Sequence, residues 1–429
     1  MTHVRNQRVT VLGLGHFGGG IAVSRWLVEQ GATVTVVDDA PAERLADSVA
    51  QLAGLPIDFR LGPDQPLAPA DLIVASPAIP PHHPQLIAAR AAGAAVTTEI
   101  CLFAERCPAP VFGVTGTKGK STTSTLLARM LGAETWLGGN IGRSLLADLP
   151  AIRPDGRVVL ELSSFMLQYL GERAWSPHVA IVTMVTRDHL DWHGSVGGYV
   201  DAKRQIVRHQ TAGDTAVLNR GDPASVELAA LTLGHVVYFN GEGDRPFDLR
   251  LPGGHNQLNA QAAFAAAATA GVTWAAAQAA IADFAGLPHR LEVVADVAGV
   301  RWVNDSIATI PEAAVAALGS FPAGRVIQIV GGSGKKALDT APLCAALAGE
   351  AKAVLCIGET GETLAAEVNR RAAGRARACG DLATAVAAAR ALAVAGDVVL
   401  LSPGHPSYDQ FVNFQQRGEM YARLAQPTS

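Results

Sequence analysis

Along the chain, short runs of β-branched and apolar residues alternate with longer alanine- and leucine-rich stretches, and nearly every short run stops on Gly, Ser, Asp or Pro. Apolar runs of this length with little polar alternation read as strands buried on both faces. The stretches between them read as crossover helices, the arrangement of parallel sheets. In the first part of the chain RVTVLGLG, ATVTVVDD and DLIVASPA are such strands; VFGVTG, RVVLELSS, HVAIVTMV and TAVLN follow in the middle, and RVIQIVGGS, AVLCIGET and DVVLLSPG near the end. The pattern predicts an α/β fold in three domains. Prolines closing TTEICLFAERCPAP and the Gly-Leu-Pro of FAGLPHRLE set the expected boundaries at 1–95, 96–286 and 287–429.

Composition narrows the partners. A chain of 429 residues with a formal net charge of -4 has no broad basic face for nucleic acid, so small molecules are expected. Five cysteines, scattered and without C-x-x-C spacing, indicate neither a disulfide framework nor a zinc site and fit a reducing cytoplasm. The N-terminus enters the first strand with no apolar leader, and the stretch 262–281 is alanine broken by Thr, Gly and Gln, too weak for a membrane span. A cytoplasmic protein without membrane or nucleic-acid partners is expected.

Three motifs add chemistry. GLGHFG, with Gly13, Gly15 and Gly18, follows the first strand, and Asp38 and Asp39 end the next; this is a dinucleotide fingerprint, equally readable as a plain glycine turn or a site for another diphosphate nucleotide. VFGVTGTKGKSTTSTLLARML departs from the usual phosphate-loop spacing, since Val114 stands five positions before Gly119. It still joins a strand to a helix through Gly116, Thr117, Lys118, Gly119, Lys120, Ser121 and Thr122. Backbone N–H groups there would meet phosphate oxygens, Lys120 would add charge and Ser121 would reach Mg²⁺. Glu161 closes the apolar run of VVLELSSFML, where a carboxylate needs a cation. VTRDHLDWHG places Asp188, His189, Asp191 and His193 within six residues, read either as a metal and phosphate site or as caps and solvated loop.

GTKGKST, ELSSF, DHLDWHG, YVDAKRQI, GGHNQLNAQAA, GLPHRLE, NDSIAT and SPGHPSYDQFVNF occur in this order, and together they resemble the Mur ligase family over nearly the whole chain. The resemblance implies an N-terminal Rossmann-like domain for a UDP-linked substrate, a central P-loop ATPase-like domain with a parallel sheet, and a C-terminal Rossmann-like α/β domain for an amino acid. It implies an ATP-dependent, amide-forming monomer that adds D-glutamate to UDP-MurNAc-L-alanine through an acyl phosphate. Two Mg²⁺ ions are implied, one held through a carbamylated lysine. Lys120, Glu161, His189 and Lys203 would be catalytic, and Ser121, Glu161, His189 and Lys203 would hold the metals. Asn256 and Asn259 would meet adenine, Arg290 a phosphate and Asp305 the ribose. His16, Phe17, Asp38 and Ser76 would meet uridine and diphosphate, with Asn140 and Ser163 at the sugar-peptide end. Thr309, Lys335, Lys336, Ser407 and Phe414 would surround the glutamate, with the two lysines as alternatives for one position.

The chain also departs from the family's pattern. Met166 stands for a common Gln, Met184 for a common Asn, Ile307 for a lysine, and His405 with Pro406 for Cys-Ala. Each swap changes a donor or a charge near the expected substrates. The same chemistry with L-glutamate or another amino acid is one alternative. An NAD(P)-dependent dehydrogenase built on GLGHFG is a more distant one.

Overall fold

A computed structural model of the chain describes residues 2–15, 18–67, 69–141, 143–186, 190–251, 253–334 and 338–427. Two compact units are present: Met1–Leu249 with Gly254–Ala282, and Arg250–Gly253 with Asp283–Ser429. The first unit holds two sheets. One contains β1 (Arg8–Leu12), β2 (Thr33–Asp38), β3 (Ile57–Leu61), β4 (Leu72–Ala75) and β5 (Ala95–Thr97), all parallel, in the order β3-β2-β1-β4-β5.

The other contains β6 (Val111–Thr115), β7 (Thr135–Gly139), β8 (Arg157–Glu161), β9 (Val179–Val182), β10 (Thr215–Asn219) and β11 (His235–Phe239), parallel in the order β11-β10-β9-β6-β8-β7. β6, β8 and β9 are buried almost throughout, as expected for strands covered on both faces. Helix Lys120–Leu131 packs on helix Gly254–Thr269, whose Ala260, Ala263 and Ala267 are fully buried; methyl-sized side chains let the two axes approach closely. One hydrophobic cluster runs through this unit from Val9 and Trp26 to Leu160 and Tyr199.

The second unit has one sheet: β12 (Glu292–Val297), β13 (Val300–Asn304), β14 (Val326–Gly331), β15 (Ala353–Ile357), β16 (Ala376–Gly380) and β17 (Val398–Leu401), in the order β12-β13-β17-β14-β15-β16. Only β12 runs antiparallel, against β13. Its two faces carry separate clusters, one around Leu343, Val354 and Leu400, the other around Trp302, Leu355 and Tyr421. The α/β class and the three predominantly parallel sheets agree with the sequence pattern. Among the described residues no helix is long and apolar enough to cross a membrane.

Candidate functional site

The central sheet reverses its winding between β6 and β9, so the loops that leave these strands diverge and open a crevice at their C-terminal edge. Gly116 begins the loop after β6 with φ +151, and a Cβ there would collide with the Thr183 hydroxyl. This close approach is used: Thr183 Oγ1 donates to Lys118 O at 2.6 Å, and Thr117 N donates to Met184 O at 2.7 Å. Gly119, at φ +87, starts helix Lys120–Leu131 and abuts the Asn259 side chain. The loop is thereby stitched to the next strand and to the alanine-rich helix.

Two ammonium groups converge on its carbonyls. Lys120 Nζ donates to Gly116 O and Thr117 O, both at 3.1 Å. Lys203 Nζ donates to the same Gly116 O at 2.9 Å and to Thr115 Oγ1 at 3.3 Å, and lies 4.8 Å from the centre of the Tyr199 ring. Lys203 is 2% exposed, so a carbonyl, a hydroxyl and a π face replace its water. Ser121 and Thr122 occupy the first turn of the helix, while Lys118 is exposed.

Glu161 ends β8 opposite Val114 of β6 and Gly139 of β7. Its Oε1 accepts from Asn140 Nδ2 at 2.9 Å, but Oε2 has no hydrogen-bond partner among the described residues, and the side chain is 2% exposed. A buried carboxylate oxygen left unpaired beside a phosphate-type loop has the chemistry of a cation ligand, and Mg²⁺ fits it. No group of three His, Cys, Asp or Glu side chains converges among the described residues.

Asn256 and Asn259 are buried on helix Gly254–Thr269, neither a cap nor solvated. Asn259 Nδ2 donates to Asn256 Oδ1 at 3.2 Å, and Asn259 Oδ1 accepts from Thr123 Oγ1. Burial, with a contribution from Lys118, pushes the His255 imidazole below its ordinary value. Ser163 caps helix Ser164–Glu172 by accepting from Met166 N, and Met166 itself is core.

In the N-terminal sheet the winding reverses between β1 and β4. Gly13 sits there at φ +87 with its missing Cβ 2.8 Å from Ser76 Cβ. Asp38 Oδ2 accepts from Leu14 N at 2.8 Å and Gly15 N at 3.1 Å, and Oδ1 from Ala40 N at 2.9 Å. The carboxylate therefore closes the glycine loop instead of facing outward. The close helix contact falls to Gly20, whose Cβ would strike the Leu14 carbonyl.

In the second unit Asp305 does not cap a helix, since the next one starts at Pro311. Its oxygens accept from Leu291 N at 3.2 Å and Ser402 Oγ at 2.7 Å, and burial pushes its carboxyl up to about 7 despite the nearby Arg290 charge. Arg417, 1% exposed, donates to Ser306 Oγ, Ser306 O and His405 O; it ties the turn of Asp305 and Thr309 to the turn of Ser407, on the helix that Phe414 begins. Ser407 is buried and Ile307 half-buried, its N–H bound to His289 O. His16, Phe17, His189, Lys335 and Lys336 lie outside the described residues.

Sequence reasoning missed Thr183, Tyr199 and Arg417. For Tyr199 a signal existed, since it precedes Lys203 by one helical turn on the same face.

Comparison with known proteins agrees with the three-sheet α/β fold. Family profiles described as the N-terminal domain of MurD-like Mur ligases, the Mur ligase middle domain and the Mur ligase glutamate ligase domain match residues 7–98, 114–239 and 289–405. The UDP-N-acetylmuramoylalanine--D-glutamate ligase of Symbiobacterium thermophilum is 40% identical, with 99% of this chain and 98% of the relative covered. Among solved structures, UDP-N-acetylmuramate-alanine ligase MurC of Thermotoga maritima aligns over 98% of this chain and 100% of its own, with TM-score 0.63 and 20% identity. FolC of E. coli, solved in complex with DHPP and ADP, aligns over 76% of this chain and 93% of its own, with TM-score 0.56 and 22% identity. At such identities the two structures speak for the fold.

Proposed function

This chain belongs to the Mur ligase family, and from that premise we propose that it joins D-glutamate to UDP-N-acetylmuramoylalanine at the expense of ATP. The family is ATP-dependent and acts on small molecules. The observation that carries the reading is the buried Glu161 with an unpaired oxygen, one strand away from a glycine loop whose Gly116 carbonyl holds both Lys120 and Lys203.

A carboxylate is a poor electrophile, so the alanyl carboxylate first attacks the γ-phosphorus, forming an acyl phosphate and ADP. The free amine of glutamate then attacks the acyl carbon, phosphate leaves with the C–O bond electrons, and the amide nitrogen gives its extra proton to solvent. Lys120 is placed to leave its carbonyls for the transferring phosphoryl group, where its charge lowers the barrier. Thr183 and Asn259 hold the loop's shape while this happens. Bound Mg²⁺ would neutralise phosphate charge; Ser121, Glu161, His189 and Lys203, the last as its carbamate, are the residues we assign to two such ions. Asn256 and Asn259 are assigned to adenine, Arg290 to a phosphate and Asp305 to the ribose. His16, Phe17 and Ser76 are assigned to the UDP moiety, with Asp38 shaping the loop that meets it, Asn140 and Ser163 to the sugar-peptide end, and Thr309, Ser407, Phe414 and one of Lys335 and Lys336 to glutamate. The domain limits 1–95, 96–286 and 287–429, a monomeric state and a cytoplasmic location belong to the same reading.

Phosphate release measured with UDP-MurNAc-L-alanine, ATP and single amino acids tests it. Release is expected with D-glutamate and not with L-glutamate or other amino acids; a preference for another amine would refute the assigned acceptor, and no ATP cleavage with any would refute the ligase.

A further inference from the structure

His193 is the second histidine of DHLDWHG, and the assignments above leave it without a role. Its Nε2 lies 2.9 Å from Ser164 Oγ, on a residue 3% exposed that follows the β8 turn bearing Glu161 and Ser163. The ring is caged: Trp192 edge-on at 4.4 Å, Tyr199 edge-on at 5.4 Å and Phe165 stacked at 5.7 Å between centroids. Tyr199 then carries the contact onward, its hydroxyl 2.9 Å from Thr117 Oγ1 and its ring beneath Lys203 Nζ. Thr117 Oγ1 in turn accepts from Thr186 N at 2.9 Å, on the strand side of the crevice.

The imidazole thus joins the turn after β8 to Tyr199 on the helix of Lys203, and Tyr199 passes the contact on to the glycine loop, two segments far apart in sequence. From this geometry we propose that His193 is a positioning residue for the nucleotide site. Through Ser164 it fixes the turn next to Glu161, and through Tyr199 it fixes both the Thr117 side of the loop and the seat of Lys203. The imidazole suits the place because it offers one polar edge for a buried hydroxyl and apolar faces for three aromatic rings. Phenylalanine would keep the packing and lose the hydrogen bond. Glutamine would keep a side-chain amide near Ser164 and lose most of the ring contacts.

The inference rests on the ligase reading, and activity of the unmodified protein tests that reading separately. With an active parent enzyme, KM for ATP, for UDP-MurNAc-L-alanine and for D-glutamate are measured for His193→Phe, Ser164→Ala and the double variant, alongside melting temperatures. Each single change is expected to raise KM for ATP by about fivefold and the double change by no more than either single one, the signature of one shared contact. KM for D-glutamate is expected to stay within about twofold, because none of its assigned residues lies on the contacted segments, and KM for the UDP substrate is expected to change less than KM for ATP, since only Ser163 of its residues borders the contact. Should the parent show no ligase activity, ATP affinity of the same variants by calorimetry gives the readout. ATP parameters unchanged in His193→Phe, additive effects in the double variant, or equal losses for all three substrates would overturn the proposal.

Discussion

The chain contains two glycine loops that look alike in sequence, GLGHFG after β1 and GTKGKS after β6, and each opens at the point where its sheet reverses winding. Their electrostatics are opposite. The first has its Leu14 and Gly15 N–H groups closed by the Asp38 carboxylate, and the Ser48 hydroxyl donates to Gly15 O at 3.0 Å. The second has its Gly116 and Thr117 carbonyls held by the Lys120 ammonium, which keeps positive charge on the loop. Glycine spacing records only that a backbone must turn tightly; the side chains delivered by neighbouring strands decide what the turn can hold. This also weakens the dehydrogenase alternative, for which an acid at the end of β2 would hold a ribose hydroxyl. Asp38 is spent on its own backbone.

The comparison is broken most directly at Lys120. Lys120→Ala should lower kcat by about a thousandfold or more, measured as phosphate release, because it removes charge that matters most in the transition state. Lys118→Ala, at an exposed position on the same loop, should cost less than about tenfold. Equal losses would mean that the loop senses total charge and not one placed cation. Next comes Glu161→Gln, which keeps shape and the Asn140 contact while neutralising the unpaired oxygen. A fall of about a hundredfold in kcat/KM, partly restored by excess Mg²⁺, is expected if that oxygen takes a cation. Activity insensitive to both the substitution and to chelation would remove the metal from the site.

Much of this was legible in the residue pattern, for a physical reason. β1, β2, β4, β6, β8, β9, β10, β14, β15 and β17 lie in the interiors of their sheets and needed continuous apolar runs, which the sequence displays. β3, β7, β11, β12 and β16 are edges; IDFRL, TWLGG, HVVYF, EVVADV and ARACG mix polar, small and charged residues because one flank faces solvent. They passed unnoticed, as did the short edge strand β5 and also β13, an interior strand whose VRWVN carries an exposed arginine among its apolar residues. The loop residues 116–122 and Glu161 stood out by motif and by their place at strand ends, whereas Lys203 was singled out only through the family resemblance. Thr183 and Arg417 were not, since each acts across more than sixty residues of sequence. Nothing local distinguishes a threonine that closes a distant loop from one that merely ends a strand.

Gly119→Ala probes the central loop's geometry without touching its charge. The residue needs φ +87, and its Cβ would press on the Asn259 side chain, so the substitution strains the turn and displaces an adenine candidate. KM for ATP should rise about tenfold or more, with KM for the UDP substrate within about twofold, since the strain is confined to one loop. Gly15→Ala is the matched control at φ +62 with nothing within 4 Å of the added carbon. It should cost only the left-handed backbone penalty, about 1 kcal/mol in stability, read as a shift in melting temperature.

The smallest effect falls on Asp38, and it decides whether the N-terminal loop is a preformed cradle or a closed turn. Asp38→Asn retains an acceptor for one N–H but loses the charge that holds Leu14 N and Gly15 N together, costing about 1–2 kcal/mol of stability. If the carboxylate serves only to shape the loop, KM for the UDP substrate should rise by about threefold, in proportion to the loosened turn, with ATP parameters unchanged. A tighter KM would mean that the diphosphate competes with the carboxylate for the same N–H groups. In that case the loop binds as the central one does, and the apparent opposition of charge marks only the ligand-free state. Titration of free UDP against both proteins separates the outcomes, because repulsion between two anions weakens with added salt whereas loss of a structural hydrogen bond does not.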